Sequence, residues 1–475
     1  MKPLRFLLTG GCYGFSDVLV KLLQMAVLLW LAKICTKQQY GNFGILLGIQ
    51  QIVILLCLGG SIETMSSMLN KFRIRNRLST LFSGVMQLTN ISSVIISIGF
   101  IFVCLYMLKT NITIGSIKVY ILVLLGALLL ARLMLMTSIF QLQEEHGMAI
   151  WFKTMPFLLA YSLGIVFAKI NDDHISGYYE GVLSGLLIFI FIKSFIVKGT
   201  KSKFHKKIVV ILYKKSVPFV GIAVFGWLSG LGMNVVLKIL FTNKEIAEYT
   251  MVNNFNAVLL LTIAALSSVW TPRFYLIAGK FPQEYLNRAN SKVYQMQFLL
   301  ISTVSALVLL YFKDILGILG GNLLGYSEIH PYLLISYSGY MCLILFYQSV
   351  NYYLLHNCGM LFFKFVFLTS VIGTLAWILF MLFAGTWGIY LGFTVLMVIR
   401  AGVMFWYAFK EWGVRASISN LLSGFLIVFV AYFISISGMG IAMRTTGFVC
   451  LLLVVSCFYW VVHHKKFTGY LEYIS

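Results

Sequence analysis

Long apolar runs separated by short polar connections are the dominant pattern of this 475-residue chain. A membrane-spanning helix needs about 20 mostly apolar residues. By that criterion the sequence predicts about fourteen spans, with limits near 10–34, 43–62, 81–108, 118–140, 149–169, 177–197, 216–240, 252–276, 293–312, 332–355, 361–384, 387–409, 419–437 and 443–462. The pattern therefore predicts an all-α polytopic membrane protein.

Composition supports this class and narrows the chemistry. The chain is 60% hydrophobic and 11% charged, with a mean hydropathy of +0.93, whereas a soluble domain carries roughly 25% charged residues. The eight cysteines include no Cys-x-x-Cys pair, so neither a disulfide framework nor a zinc site is indicated. No nucleophile elbow, P-loop or His-Glu-x-x-His motif occurs. We therefore expect a protein that is not an enzyme and that needs no cofactor or metal.

The formal net charge of +22 comes from lysines and arginines that concentrate in alternate connections between spans. The densest is Lys198–Lys215, KGTKSKFHKKIVVILYKK, with seven lysines. Such clusters mark cytoplasmic loops, which predicts a multi-pass protein of the bacterial cytoplasmic (inner) membrane with both termini in the cytoplasm. No nucleic-acid partner is needed to explain the charge. The segment IVVILY inside the cluster predicts an interfacial helix.

The lysine cluster also suggests how the chain divides. The sequence AKICTKQQYGNFGILLG near the end of the first span is loosely repeated as LKILFTNKEIAEYTMVN near the end of the seventh. Repeats that begin on the same side are parallel, related by an axis along the membrane normal. We predict an N-terminal lobe of six spans at 1–197, a cytoplasmic basic linker at 198–215, a C-terminal lobe of six spans at 216–412, and two further spans with a cytoplasmic tail at 413–475.

Four charged residues fall deep inside predicted spans: Asp17, Lys21, Arg132 and Arg400. A charge at the bilayer centre costs about 2.5–3.5 kcal/mol even on the lenient insertion scale, so these side chains must face water or a partner. One hypothesis is a structural ion pair that holds helices together. The other is a cationic cavity for an anionic cargo, with Asp17 as a possible coupling-ion site. Lysines near span ends, such as Lys193, can instead extend to the membrane surface.

A polar and aromatic face marks the tenth predicted span. Tyr340, Tyr347 and Asn351 lie at spacings of seven and four, which places them on one helix face. Such side chains can bind sugar hydroxyls or bridge neighbouring helices, and the sequence leaves both roles open.

Motifs around the first two spans resemble a known family. The turn between these spans has the pattern Thr-x-x-x-Tyr-Gly-x-Phe, formed by Thr36, Tyr40, Gly41 and Phe43. It follows a glycine-led first span, and the second span ends in Leu58 and Gly59. This resembles O-antigen and polysaccharide flippases (Wzx-type) of the multidrug/oligosaccharidyl-lipid/polysaccharide (MOP) exporter superfamily.

The resemblance implies a function in lipopolysaccharide or related polysaccharide biosynthesis. It implies alternating-access transport of a polyprenyl-pyrophosphate-linked oligosaccharide from the cytoplasmic to the periplasmic leaflet, with Lys21, Arg132 and Arg400 as cavity cations. Membrane lipids, a polysaccharide polymerase and a chain-length regulator are the further partners it implies. Two alternatives stay open at this point, a MATE-like cation-coupled multidrug antiporter and a membrane-embedded polysaccharide polymerase.

Overall fold

The computed structural model describes residues 3–109, 114–196, 206–356, 358–416 and 418–453. Within these ranges the regular structure is helical and contains no β-strand. The α-helices are α1 (Pro3–Ile34), α2 (Lys37–Leu58), α3 (Ser61–Ile74), α4 (Leu78–Lys109), α5 (Ile114–Leu142), α6 (His146–Ile170), α7 (His174–Ile196), α8 (Lys206–Leu228), α9 (Met233–Leu240), α10 (Asn243–Ala278), α11 (Gln283–Leu319), α12 (His330–Leu355), α13 (Gly359–Trp412), α14 (Ile418–Ile436) and α15 (Ile441–Leu453). A 3₁₀ helix, Gly321–Ile329, precedes α12.

The predicted fold class is confirmed. In the described part of the chain, ten helices are long and apolar enough to cross a membrane, and two shorter apolar helices follow near the C-terminus. Each predicted span overlaps a described helix. The last span, predicted at 443–462, is described only as far as residue 453, and the predicted cytoplasmic tail lies outside the described residues.

Helix α13 is a hairpin of two predicted spans. Its 54 residues are interrupted at Gly385, whose φ of 56° and ψ of −131° are non-helical and accessible essentially to glycine alone. The arms, 359–384 and 386–412, agree with the spans predicted at 361–384 and 387–409. They pack closely, since the Trp377 indole N–H donates to the Ile389 carbonyl at 2.6 Å and Gly392 lies against the Trp377 side chain.

The second predicted span, 43–62, is interrupted. Helix α2 ends at Leu58 because Gly59 and Gly60 both adopt a left-handed backbone, with φ of 53° and 68°. Helix α3 then begins at Ser61 and carries the chain on to Ile74.

The region of the predicted linker also differs from expectation. Residues 198–205 lie outside the described residues, but from Lys206 onward the cluster is the first part of α8. The segment IVVILY is thus not a separate interfacial helix, and the seventh span is shifted from 216–240 towards the N-terminus. The reason is packing: Val209 and Leu212 join a buried cluster with α3, α4 and α5, while the four lysines of this part face solvent.

Two compact units emerge from the packing, Met1–Met251 and Val252–Ser475, with the division inside α10. In the first unit, α6 packs along α7, and α5 contacts α2, α6 and α7. Val53 and Cys57 of α2 form a buried cluster with Ala127 and Ala131 of α5. The predicted lobe boundaries at 197 and 216 stay a prediction.

In the second unit, α12 packs along α13, and α11 packs along α14. The C-terminal helices are fixed to α11 by Arg444, whose guanidinium donates to the Leu310 carbonyl at 3.0 Å and to the Asp314 carboxylate at 2.9 Å. Ala306, Ile427 and Phe448 meet in a buried cluster beside this ion pair. The last two described helices are therefore an integral part of the unit.

Candidate functional site

Arg400 lies near the middle of the second arm of α13 and is half-buried. Its Nη2 donates to the Ser370 hydroxyl on the first arm at 2.8 Å. The Tyr347 phenol on α12 lies close enough for an electrostatic interaction with the guanidinium. The structure therefore brings together two of the predicted site residues, where α12 meets both arms of α13.

The other predicted polar residues of α12 are placed differently. Tyr340 is 7% exposed, and its ring packs on Phe393 of α13 with centroids 5.2 Å apart. Asn351 is 5% exposed. Tyr340 and Phe393 stand one heptad before Tyr347 and Arg400, so the same two faces meet along both heptads. Of the three α12 residues, only Tyr347 is half-exposed.

A hydrogen-bonded network on α11, which the sequence did not predict, holds the backbone of α12 at Tyr347. The Tyr294 hydroxyl on α11 donates to the Tyr347 carbonyl at 2.7 Å. Asn290, one turn earlier, donates to the Gln348 carbonyl at 3.2 Å and accepts from the Trp270 indole at 2.9 Å. The available signal was the spacing of four between Asn290 and Tyr294, which places two polar groups on one helix face, although Asn290 precedes the span predicted at 293–312.

Lys21 and Arg132 belong to the first unit and are exposed near the middle of α1 and α5. Neither forms an ion pair with an acidic side chain that the structure describes. The side chain of Asp17 lies outside the described part, so its predicted pairing with Lys21 or with a coupling ion stays a prediction. Arg132 lies on the same face of α5 as Ile121 and Leu125, both of which are exposed.

A close helix contact in the first unit joins the two repeated sequences. Thr36 caps α2 through Gln39, and Thr242 makes the equivalent bonds with Glu245 at the start of α10, at 2.8 and 2.9 Å. The two helix starts then meet, with Lys37 paired to Glu248 at 2.9 Å. The two repeats thus have the same local structure.

Small residues on α2 permit this contact. A Cβ at Gly41 would overlap the Asn243 backbone carbonyl, and one at Gly44 would overlap the Thr250 side chain. Asn234 of α9 donates to the Gly44 carbonyl at 2.9 Å. Helix α2 is in the predicted N-terminal lobe, whereas α9 and α10 are in the predicted C-terminal lobe. The contact therefore lies at the end of these helices that the charge pattern predicts to be periplasmic.

Within the described residues, no three His, Cys, Asp or Glu side chains lie together as a metal site would require.

No protein-family profile matches the sequence, and no curated protein matches it. Solved structures do share its fold. The lipid II flippase MurJ in an inward closed conformation aligns with a TM-score of 0.70 and 13% identity over 94% of this chain and 98% of that chain. A MATE transporter mutant from Vibrio cholerae gives 0.61 and 14% over 85% and 96%. A MATE protein in a straight conformation gives 0.57 and 15% over 85% and 94%.

These similarities show that the chain has the helical fold shared by MurJ and the MATE transporters, the latter described as members of the MOP superfamily. The fold implied by the resemblance in the turn motif is therefore found, and membership of the superfamily stays a prediction. Membership of the Wzx-type group stays a prediction.

Proposed function

We propose that this protein is a flippase that moves a polyprenyl-pyrophosphate-linked oligosaccharide, an O-antigen or related repeat unit, between the leaflets of the bacterial inner membrane. The observation that carries the proposal is the half-buried Arg400 guanidinium in the middle of its helix arm, held by Ser370 and bordered by Tyr347. A cation withdrawn from water at this depth binds anions more strongly than one at the surface. Lys21, exposed near the middle of its helix in the first unit, stays a prediction from the sequence as a cavity cation.

The cargo's chemistry fits these groups. A pyrophosphate carries two negative charges, and the planar guanidinium of arginine donates two parallel hydrogen bonds to phosphate oxygens. Tyr347 then offers a hydroxyl and an aromatic face to the first sugar. Tyr340 and Asn351 are buried in this conformation, and their proposed contact with sugar needs α12 to separate from α13. Moving anions out of a negative interior is favoured by about 2.3 kcal/mol per charge per 100 mV.

The contact between α2 and α10 supports an alternating-access cycle. In this proposal the contact closes the end predicted to be periplasmic, and the substrate enters from the other end. Opening then requires Lys37 to leave Glu248 and the glycine face of α2 to leave Asn243 and Thr250. Release of the oligosaccharide to a polysaccharide polymerase and its chain-length regulator is the proposed following step.

The MATE-like antiporter is the second candidate, favoured by the shared fold. Export of organic cations calls for carboxylates inside the spans. Two carboxylates near helix ends are instead paired with cations, Glu180 with Lys118 at 2.6 Å and Asp314 with Arg444 at 2.9 Å. This arrangement favours an anionic cargo. Asp17 is the residue through which a coupling ion would act in either mechanism.

Transport by purified protein in proteoliposomes tests the proposal. A fluorescent lipid-linked oligosaccharide should move between leaflets, measured as the fraction that an impermeant quencher reaches. Arg400→Gln should slow this about 10- to 150-fold, since charge-assisted hydrogen bonds contribute about 1.5–3 kcal/mol, and Arg400→Lys should be intermediate. Arg288→Gln is the matched control, because Arg288 is exposed and paired only within its own helix.

Two outcomes would contradict the flippase. Arg400→Gln could transport at the wild-type rate while remaining folded by gel filtration, which would remove the role of the arginine. Alternatively, the wild-type protein could move an organic cation against a proton or sodium gradient and leave the lipid-linked oligosaccharide in place, which would identify an antiporter.

A further inference from the structure

Lys193 lies in the last turn of α7 but does not extend away from the protein as its position in the sequence favours. Its ammonium is 2.7 Å from the Met136 sulfur on α5 and 5.7 Å from the centroid of the Phe152 ring on α6. Sulfur and an aromatic face are weak partners for an ammonium with three donors. The side chain is half-buried and retains capacity for an anion.

Arg132 adds a second cation at the same place. It precedes Met136 by four residues on α5, so both project from one face about one helical turn apart. Its charge is near enough to Lys193 for the two to repel each other. No described carboxylate neutralises either one, since Glu144 pairs with Arg73 and Glu180 pairs with Lys118. Two like charges held together in an apolar region are stabilised by a bound anion.

The surface beside this pair is apolar. Helices α5 and α7 run parallel, since Lys118 meets Glu180 near their first turns and Met136 meets Lys193 near their last. On α7, Leu187, Ile188 and Phe191 are exposed, the last by 66%. The exposed Ile121 and Leu125 continue this surface on α5. Glu180 and Lys193 are separated by 13 positions, roughly 20 Å of helix, which exceeds the about 15 Å hydrocarbon depth of one leaflet, half of the about 30 Å core.

A ligand for this surface must combine a negative headgroup with hydrocarbon chains. We propose that Arg132 and Lys193 bind the phosphate of an anionic phospholipid, whose acyl chains lie along the exposed faces of α5 and α7. By the predicted topology the phosphate belongs to the cytoplasmic leaflet. The site also explains how an arginine is accommodated on an exposed apolar helix face, because the lipid phosphate supplies the counter-charge. This proposal does not depend on the transported substrate.

Binding of fluorescent phosphatidylglycerol to the purified protein in neutral detergent tests the site. A basic residue near a membrane surface contributes about 1 kcal/mol to binding of anionic lipid. Arg132→Gln and Lys193→Gln should therefore each raise the Kd about 5-fold, and the double variant about 30-fold. Lys193→Arg should bind like wild type. Lys169→Gln is the matched control, because Lys169 is an exposed lysine in the last turn of the neighbouring α6.

Salt should weaken phosphatidylglycerol binding in the wild type and have less effect in the double variant. Phosphatidylcholine with the same chains should bind weakly and respond to none of the substitutions. Equal Kd values for phosphatidylglycerol in wild type and a folded double variant would overturn the site. The site would also be overturned if polyprenyl phosphate binds and phosphatidylglycerol does not compete with it. That result would assign the two cations to the transported lipid. If Arg132→Gln does not fold, the Kd of Lys193→Gln for phosphatidylglycerol tests the site by itself.

Discussion

Adding a single methyl group to Gly41 should open the contact between α2 and α10. The Cβ of alanine at this position would overlap the backbone carbonyl of Asn243. Backbone atoms cannot rotate away, so the two helices must separate by on the order of 1 Å. The same change at Gly99 is the matched control, because nothing lies within 4 Å of a Cβ there. Both substitutions gain the same helix propensity.

The size of the effect follows from the bonds that separation breaks. Nearest to Gly41 are the hydrogen bond from Asn243 to Asn42 at 2.8 Å and the Lys37–Glu248 pair at 2.9 Å. At about 0.5–1.5 kcal/mol for each bond, losing both destabilises the closed contact by about 1–3 kcal/mol. The open population should therefore rise roughly 5- to 150-fold.

Thiol labelling measures that population. Thr250 is 1% exposed in the closed contact, so a Thr250→Cys variant in a background without other cysteines reacts with maleimide only when the helices part. Gly41→Ala should accelerate its labelling by the factor above, and Gly99→Ala should not change it. Equal labelling rates in the two glycine variants would refute the reasoning, because they would mean that α2 and α10 do not meet at Gly41.

Three substitutions probe the second unit by thermal stability of the purified protein. Arg444→Met should destabilise the protein by about 3 kcal/mol, because Asp314 then keeps a partly buried charge without its partner. Adding Asp314→Leu should recover part of the loss. Equal melting temperatures for the wild type and Arg444→Met would contradict this. Gly385→Ala should cost about 1–3 kcal/mol for its backbone conformation, whereas Gly402→Ala in the same helix should stabilise slightly through its helix propensity. The same small stabilisation at both positions would contradict the hairpin. Asn290→Leu should lower stability by about 1–3 kcal/mol by leaving a buried indole N–H unpaired, and wild-type stability would show that this network is dispensable.

Hydropathy alone was sufficient for the fold class and for the approximate place of the spans within the described residues, because a helix that crosses a bilayer must satisfy its backbone within one apolar segment. It also separated the two arms of α13, whose turn at Gly385 interrupts the apolar run only briefly. Where the boundary depended on packing, sequence reasoning was less accurate. The start of α8 at Lys206 is the clearest case, since Val209 and Leu212 extend the helix into a stretch whose lysines indicate a polar loop.

The candidate site, too, was determined partly by the sequence and partly by the tertiary structure. The sequence determined which side chains are too costly to leave in lipid, and so predicted Asp17, Lys21, Arg132 and Arg400 as candidates from charge and depth alone. Only tertiary structure decided their surroundings, because a contact between helices depends on the rotation of each about its axis. That rotation placed Tyr347 beside Arg400, enclosed Tyr340 against Phe393, and set Arg132 on an exposed face near a lysine from another helix.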